Sequence, residues 1–122
     1  MDESFNPSEF GELMKSVTHD LSESNRKLKK LISMPENGNV LMEIGLVYYN
    51  MGANGVALDM FNRALQYIIN ENDREGEAEC LYAIGIIFRE NGQYEKGMEY
   101  ERKSFKIAKE LETTNRSINF YS

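Results

Sequence analysis

Residues 40–65, VLMEIGLVYYNMGANGVALDMFNRAL, decide the fold, because residues 80–105, CLYAIGIIFRENGQYEKGMEYERKSF, repeat their pattern 40 positions later. Leu41, Ile44, Gly45, Tyr48, Gly52, Ala57, Phe61 and Ala64 of the first stretch correspond to Leu81, Ile84, Gly85, Phe88, Gly92, Gly97, Glu101 and Ser104 of the second. Self-similarity at a fixed period is the mark of stacked supersecondary units, none of which buries its apolar face alone.

Spacing gives the shape of each unit. Leu41, Ile44, Gly45 and Tyr48 fall at i, i+3, i+4 and i+7, one face of a helix. The run is also rich in β-branched and aromatic residues, so a strand is a rival reading. Its twin at 78–88, AECLYAIGIIF, keeps the helical spacing rather than alternation, which favours helix. A glycine on that face gives up roughly 1 kcal/mol of helix propensity against alanine, which suits a place where another backbone approaches closely. Gly52 and Gly92 sit where a helix would end, as left-handed residues just past its C-terminus. A second apolar pattern follows each: Ala57, Phe61, Ala64, Leu65 and Ile68, then the weaker Met98, Phe105, Ala108 and Leu111. Asn72-Asp73 breaks the chain, and Asp73 is placed to cap the helix containing Glu77 to Arg89.

With these residues in hand, the order aromatic-or-Leu, x2, Leu, Gly, x2, Tyr, then Ala, x3, Phe, x2, Ala resembles the tetratricopeptide repeat. The first unit matches at Leu41, Ile44, Gly45, Tyr48, Ala57, Phe61 and Ala64. The second departs from the pattern in its second helix, where Gly97, Glu101 and Ser104 stand for Ala, aromatic and Ala. The usual period is ~34 residues, against 40 here. Gly45 to Ala64 and Gly85 to Ser104 are equally spaced, so the extra residues are expected at the end of each second helix and its loop. Asp73-Arg74-Glu75-Gly76-Glu77-Ala78 is similar to a junction of the longer-helix members of that family. The resemblance implies an all-α architecture of helical-hairpin repeats (an α-solenoid) with about two units, 38–77 and 78–117.

Residues 1–37 read as one long amphipathic helix preceding the repeats. Phe10, Met14, Val17, Leu21, Ser24, Leu28 and Leu31 recur at alternating four and three spacings, Asn6-Pro7 is placed to start the helix, and Pro35 and Gly38 lie past its end. Over this length a coiled-coil period is not separable from an ordinary helical one. The segment is expected either to pack on the first repeat or to dimerise through Met14, Leu21 and Leu28. Residues 118–122 are expected to open a third repeat or to form a C-terminal cap.

With 122 residues and 41% hydrophobic content, the chain suits one domain with a continuous core. A net charge of −6 and a pI near 4.9 argue against nucleic acid as a main ligand, since phosphate binding requires a positive footprint. The one basic run, Arg26-Lys27-Leu28-Lys29-Lys30, falls in the last turns of the first helix, where cations complement the helix dipole. No signal peptide or membrane-length apolar run is present, so no membrane partner is expected. A lone cysteine, Cys80, suits a reducing, cytoplasmic setting.

Catalytic chemistry finds little to work with. His19 is the only histidine, and a Cys80–His19 nucleophilic pair would depend on the fold bringing them together. The acidic clusters Asp2-Glu3 and 71–79 lack a calcium-loop pattern, no His/Cys pair has zinc-ligand spacing, and Gly52-Ala53-Asn54-Gly55 lacks the lysine of a phosphate loop. No enzyme, cofactor or metal is expected. The resemblance implies that the first helices line a concave surface. Ligand-contacting positions then match Asn39, Met42, Glu43, Leu46, Tyr49 and Asn50, and Glu79, Tyr82, Ala83, Ile86, Arg89 and Glu90. Arg89 is the single cation among them, so the carboxylate-clamping mode known in the family is not expected. Met42, Leu46, Tyr49, Tyr82 and Ile86 form an apolar, aromatic strip, and a helix apolar on nearly all sides is a covered one. Three covers are expected: a helical or extended segment of a protein partner, a second copy of this chain in a homo-oligomer, or an intramolecular shield from the 8–33 helix or a neighbouring repeat. The expected function is a non-catalytic protein–protein interaction module whose contacts are Met42, Leu46, Tyr49, Tyr82, Ile86 and Arg89. The alternative is a self-associating piece of a larger repeat scaffold.

Overall fold

The structure is a computed structural model that describes the backbone of residues 7–121 and, within that span, side chains outside 9–20 and 115–121. Five helices follow one another: α1 Pro7–Ile32, α2 Gly38–Asn50, α3 Asn54–Asn70, α4 Arg74–Glu90 and α5 Tyr94–Tyr121. α2 packs on α3, α3 on α4 and α4 on α5, with α1 laid against α2. The chain is thus a run of antiparallel hairpins, α2–α3 and α4–α5.

The three-residue turns between these helices share one chemistry. At the end of α2, Ala53 N–H donates to Tyr48 C=O and Gly52 N–H to Tyr49 C=O, both at 2.9 Å. Gln93 and Gly92 do the same to Phe88 and Arg89 at 2.9 and 3.0 Å. This pairing requires a left-handed residue, supplied by Gly52 and Gly92 at φ 81 and 86°. α3 ends the same way, with Asn72 at φ 57° in the glycine's place. Asp73 caps α4 as its spacing predicts, its Oδ1 accepting from Gly76 N–H at 2.9 Å. Asn37 plays that part for α2, accepting from Val40 N–H at 2.9 Å. That cap was not read from the sequence, although an Asn immediately before a helical run is its ordinary signal.

Burial follows the 40-residue register. Leu41, Ile44, Gly45 and Val47 are buried on α2, and their counterparts Leu81, Ile84, Gly85 and Ile87 on α4. Ala57, Phe61 and Ala64 of α3 and Gly97, Glu101 and Ser104 of α5 are buried in the same way. The central cluster joins Leu41, Phe61, Ala64 and Ile68 to Cys80, Ile84 and Ile87, so one core runs through both units. Cys80 is fully buried, its thiol bonded to Phe61 C=O at 3.0 Å. A second cluster ties Leu28 and Leu31 of α1 to Val40, Ile44 and Val47 of α2. The end of α1 is therefore a packing surface. Phe10, Met14 and Val17 of its heptad-like face lie outside the described side chains, and Leu21 is exposed.

The 17-residue α3 is four residues longer than the 13-residue α2, and part of the repeat's extra length also falls in the start of the next helix. The loop after α3 is three residues long, and α4 begins at Arg74. α4 thus has one additional turn at its start relative to α2, because Asp73 caps it four residues before the position equivalent to the Asn37 cap. Residues 118–121 continue α5 without a turn.

The second unit replaces the usual packing with a different one. In the first, Gly45 lies under the Phe61 ring, where an added Cβ would come within 2.6 Å of the ring. In the second, Gly85 faces the backbone of Gly97, and a Cβ on either would fall 2.7–2.8 Å from the other's carbonyl oxygen. α4 and α5 thus approach too closely for an aromatic ring between them. Glu101 takes the ring's position, and Ser104 Oγ donates to Ala78 C=O at 2.6 Å.

Candidate functional site

α2 and α4 spend their positions 41/81, 44/84 and 47/87 on the core, so residues 42/82, 46/86 and 49/89 fall on another side. Leu46 remains 46% and Tyr82 42% exposed, while Met42, Tyr49 and Ile86 are half-buried. α1 does not bury this strip at Leu46. That residue instead borders a groove whose far wall is Lys27, Lys30, Leu31 and Met34.

The strip is bridged between repeats. Tyr49 Oη donates to the Glu90 carboxylate, linking the end of α2 to the end of α4. That bond, together with burial and the nearby charge, holds the Tyr49 phenol above its ordinary pKa. Arg89, the single cation expected among the contact positions, is paired within the fold. Its guanidinium is held by Glu101 of α5, whose side chain is only 8% exposed. The other carboxylate oxygen of Glu101 is buried without a hydrogen-bond partner. Arg89 therefore serves first to neutralise a buried acid, with half of its own side chain still reaching solvent.

Tyr82 borders a different groove from Leu46. Its ring lies 5.9 Å from that of Phe105, across the opening between α4 and α5. That groove was not anticipated, although the apolar Phe105, Ala108 and Leu111 of the sequence pattern line it.

Burial pushes the Cys80 thiol up to about 12, so it carries no thiolate at neutral pH. His19 lies outside the described side chains. Among the described residues no group of three His, Cys, Asp or Glu is placed to hold a metal, and no helix is long and apolar enough to cross a membrane.

A family model for the tetratricopeptide repeat matches residues 36–110. The chain belongs to the tetratricopeptide repeat family. The match begins one residue before the cap of α2 and ends within α5, so it spans both hairpins. Searches of curated proteins and of solved structures gave no match. Tetratricopeptide repeats generally mediate protein–protein interaction and generally act as non-catalytic scaffolds. Gly45, Ala57, Phe61 and Ala64 of the first unit, which carry the repeat pattern, are all buried here.

Proposed function

We propose that this tetratricopeptide domain is a non-catalytic interaction module that takes a helical or extended segment of a partner protein against Met42, Leu46, Tyr49, Tyr82 and Ile86. One observation carries the reading: repeat-equivalent positions 42/82 and 46/86 all keep apolar or aromatic side chains, and Leu46 and Tyr82 stay exposed while Met42, packed beside the core, and Ile86 are only half-buried. Rigid aromatics and methionine give large contact area for little lost conformational freedom, as protein interfaces favour. Arg89, already paired, contributes at the edge by donating to a second carboxylate from its exposed half.

A displayed random-peptide library panned against the full chain tests this. Enriched peptides carry spaced apolar residues, and Leu46→Glu with Ile86→Glu lowers their affinity at least about tenfold while the helical spectrum is unchanged. Enriched peptides whose affinity ignores both substitutions would overturn the assignment.

A further inference from the structure

The 40-residue register pairs a covered seat in the first unit with an open one among the described residues of the second. In the first unit the seat formed by Ala64, Leu65 and Ile68 of α3 is filled by α4, which lays Ala78, Cys80, Leu81 and Ile84 on it and on α2. The equivalent seat in the second unit is Ser104, Phe105 and Ala108 of α5, with Tyr82 of α4 and Leu111 beside it. It forms an open groove of about 690 Å3 in which Phe105 is 59% exposed. Residues 111–121 do not fold back to fill it, because α5 runs straight on past the point where α3 turns.

The rim of this groove differs from its covered counterpart in one consistent way. At the positions equivalent to Pro35, Asn39 and Asn72 the second unit has Glu75, Glu79 and Glu112. These three positions are uncharged where the covering helix belongs to the chain and are glutamates where the seat is open. The floor meanwhile stays apolar, and Leu111 replaces the equivalent Glu71. The nearby cation Arg74 is held by Glu77 and Glu110 at 3.0 and 2.7 Å, so it does not offset Glu75 and Glu79.

We propose that this groove docks a basic amphipathic helix of another protein, lying where the first helix of a next repeat would lie. Apolar residues at i, i+3, i+4 and i+7 of that helix would cover Phe105, Tyr82 and Ala108, and flanking lysines or arginines would meet Glu75 and Glu79. This chain's own basic amphipathic stretch, Arg26 to Lys30, does not supply it, because Leu28 and Leu31 are buried against α2 at 7% and 8% exposure. A two-fold contact of two copies centred on Phe105 would double the carboxylates around one apolar seam.

The test uses two hydrocarbon-stapled, fluorescein-labelled helical peptides of identical apolar face, one flanked by lysines and one by glutamates. Fluorescence anisotropy on the full chain is expected to show the lysine peptide binding at least about tenfold more tightly, with affinity falling as salt rises. Glu75→Lys with Glu79→Lys reverses the preference, and Phe105→Glu, at an exposed position that tolerates charge, removes binding. Equal affinity for both peptides, or binding that survives Phe105→Glu, overturns the proposal. A wild-type molar mass twice that of the Phe105→Glu variant assigns the groove to a second copy and overturns it as well. Loss on Leu46→Glu with Ile86→Glu but not on Phe105→Glu places the peptide on the first-helix strip, which supports the function proposed above and defeats this one.

Discussion

Replacing Gly97 by alanine probes the feature that most distinguishes the second repeat from the first. The substitution adds helix propensity worth about 1 kcal/mol in the body of α5. It also places a methyl 2.7 Å from Gly85 O and 3.1 Å from Arg89 N. Both are backbone atoms, so no rotamer change relieves the contact; α4 and α5 must separate by several tenths of an ångström. Overpacking of this kind costs about 1–3 kcal/mol, and a backbone-to-backbone contact belongs in the upper half of that range. The net expectation is a loss of about 1–2 kcal/mol. Gly55→Ala is the matched control, since a Cβ there meets nothing within 4 Å in the first turn of α3. It is expected to gain a few tenths of a kcal/mol, up to about 1. Urea denaturation followed at the helical far-UV band measures both, with the slope m unchanged. For a chain of this size the pair should differ by roughly 5–10 °C in Tm. A Gly97→Ala variant as stable as Gly55→Ala would refute the close-approach account of α4 and α5.

Three further expectations follow from the same contacts. Cys80, with its thiol buried and raised to about 12, should resist a disulfide reagent at pH 8 and react fully once urea unfolds the chain; rapid labelling of the native protein would contradict its place in the core. Arg89→Ala leaves the Glu101 carboxylate uncompensated and should cost about 1–2 kcal/mol, less than for a fully buried pair because Arg89 is half exposed. Arg89→Lys should recover part of that loss in the same denaturation assay, and equal losses for the two variants would argue against a charge effect. Glu36 accepts from Tyr67 Oη at 2.7 Å and faces Arg63, which together hold its carboxyl below the ordinary 4.5. Because the folded value is the lower one, this contribution is present above the unfolded value and fades as pH falls through the folded one. Tyr67→Phe should move the Glu36 midpoint upward in an NMR titration, and an unmoved midpoint would remove that bond from the account.

The period, the glycine turns and the cap of α4 were legible because each rests on one residue type with one job. Gly52 and Gly92 answer a left-handed backbone and Asp73 answers a free N–H, whereas Gly45, expected to admit another backbone, makes room for the Phe61 ring. The second unit was harder to read because its departures compensate one another. Gly97 lets the helices close, closure excludes a ring, and Glu101 fills the remaining space only because Arg89 reaches it. No single one of those positions signals the arrangement. The additional turn of α4 was hidden for a related reason: the 40-residue spacing fixes the length of a repeat but not which helix carries the surplus. Leu46 and Tyr82 were placed in one strip by periodicity, yet they border separate grooves, since the partners of each come from α1 and α5, elements that the repeat pattern does not address.

The central claim is that the apolar strip on the first helices, α2 and α4, is where this tetratricopeptide domain meets its partner. Amide and methyl chemical-shift mapping of the labelled chain with a panned peptide tests it most directly. The account predicts shifts centred on Met42, Leu46, Tyr49, Tyr82 and Ile86 of α2 and α4. Shifts confined to the outward faces of α3 and α5, with those five residues unmoved, would contradict it.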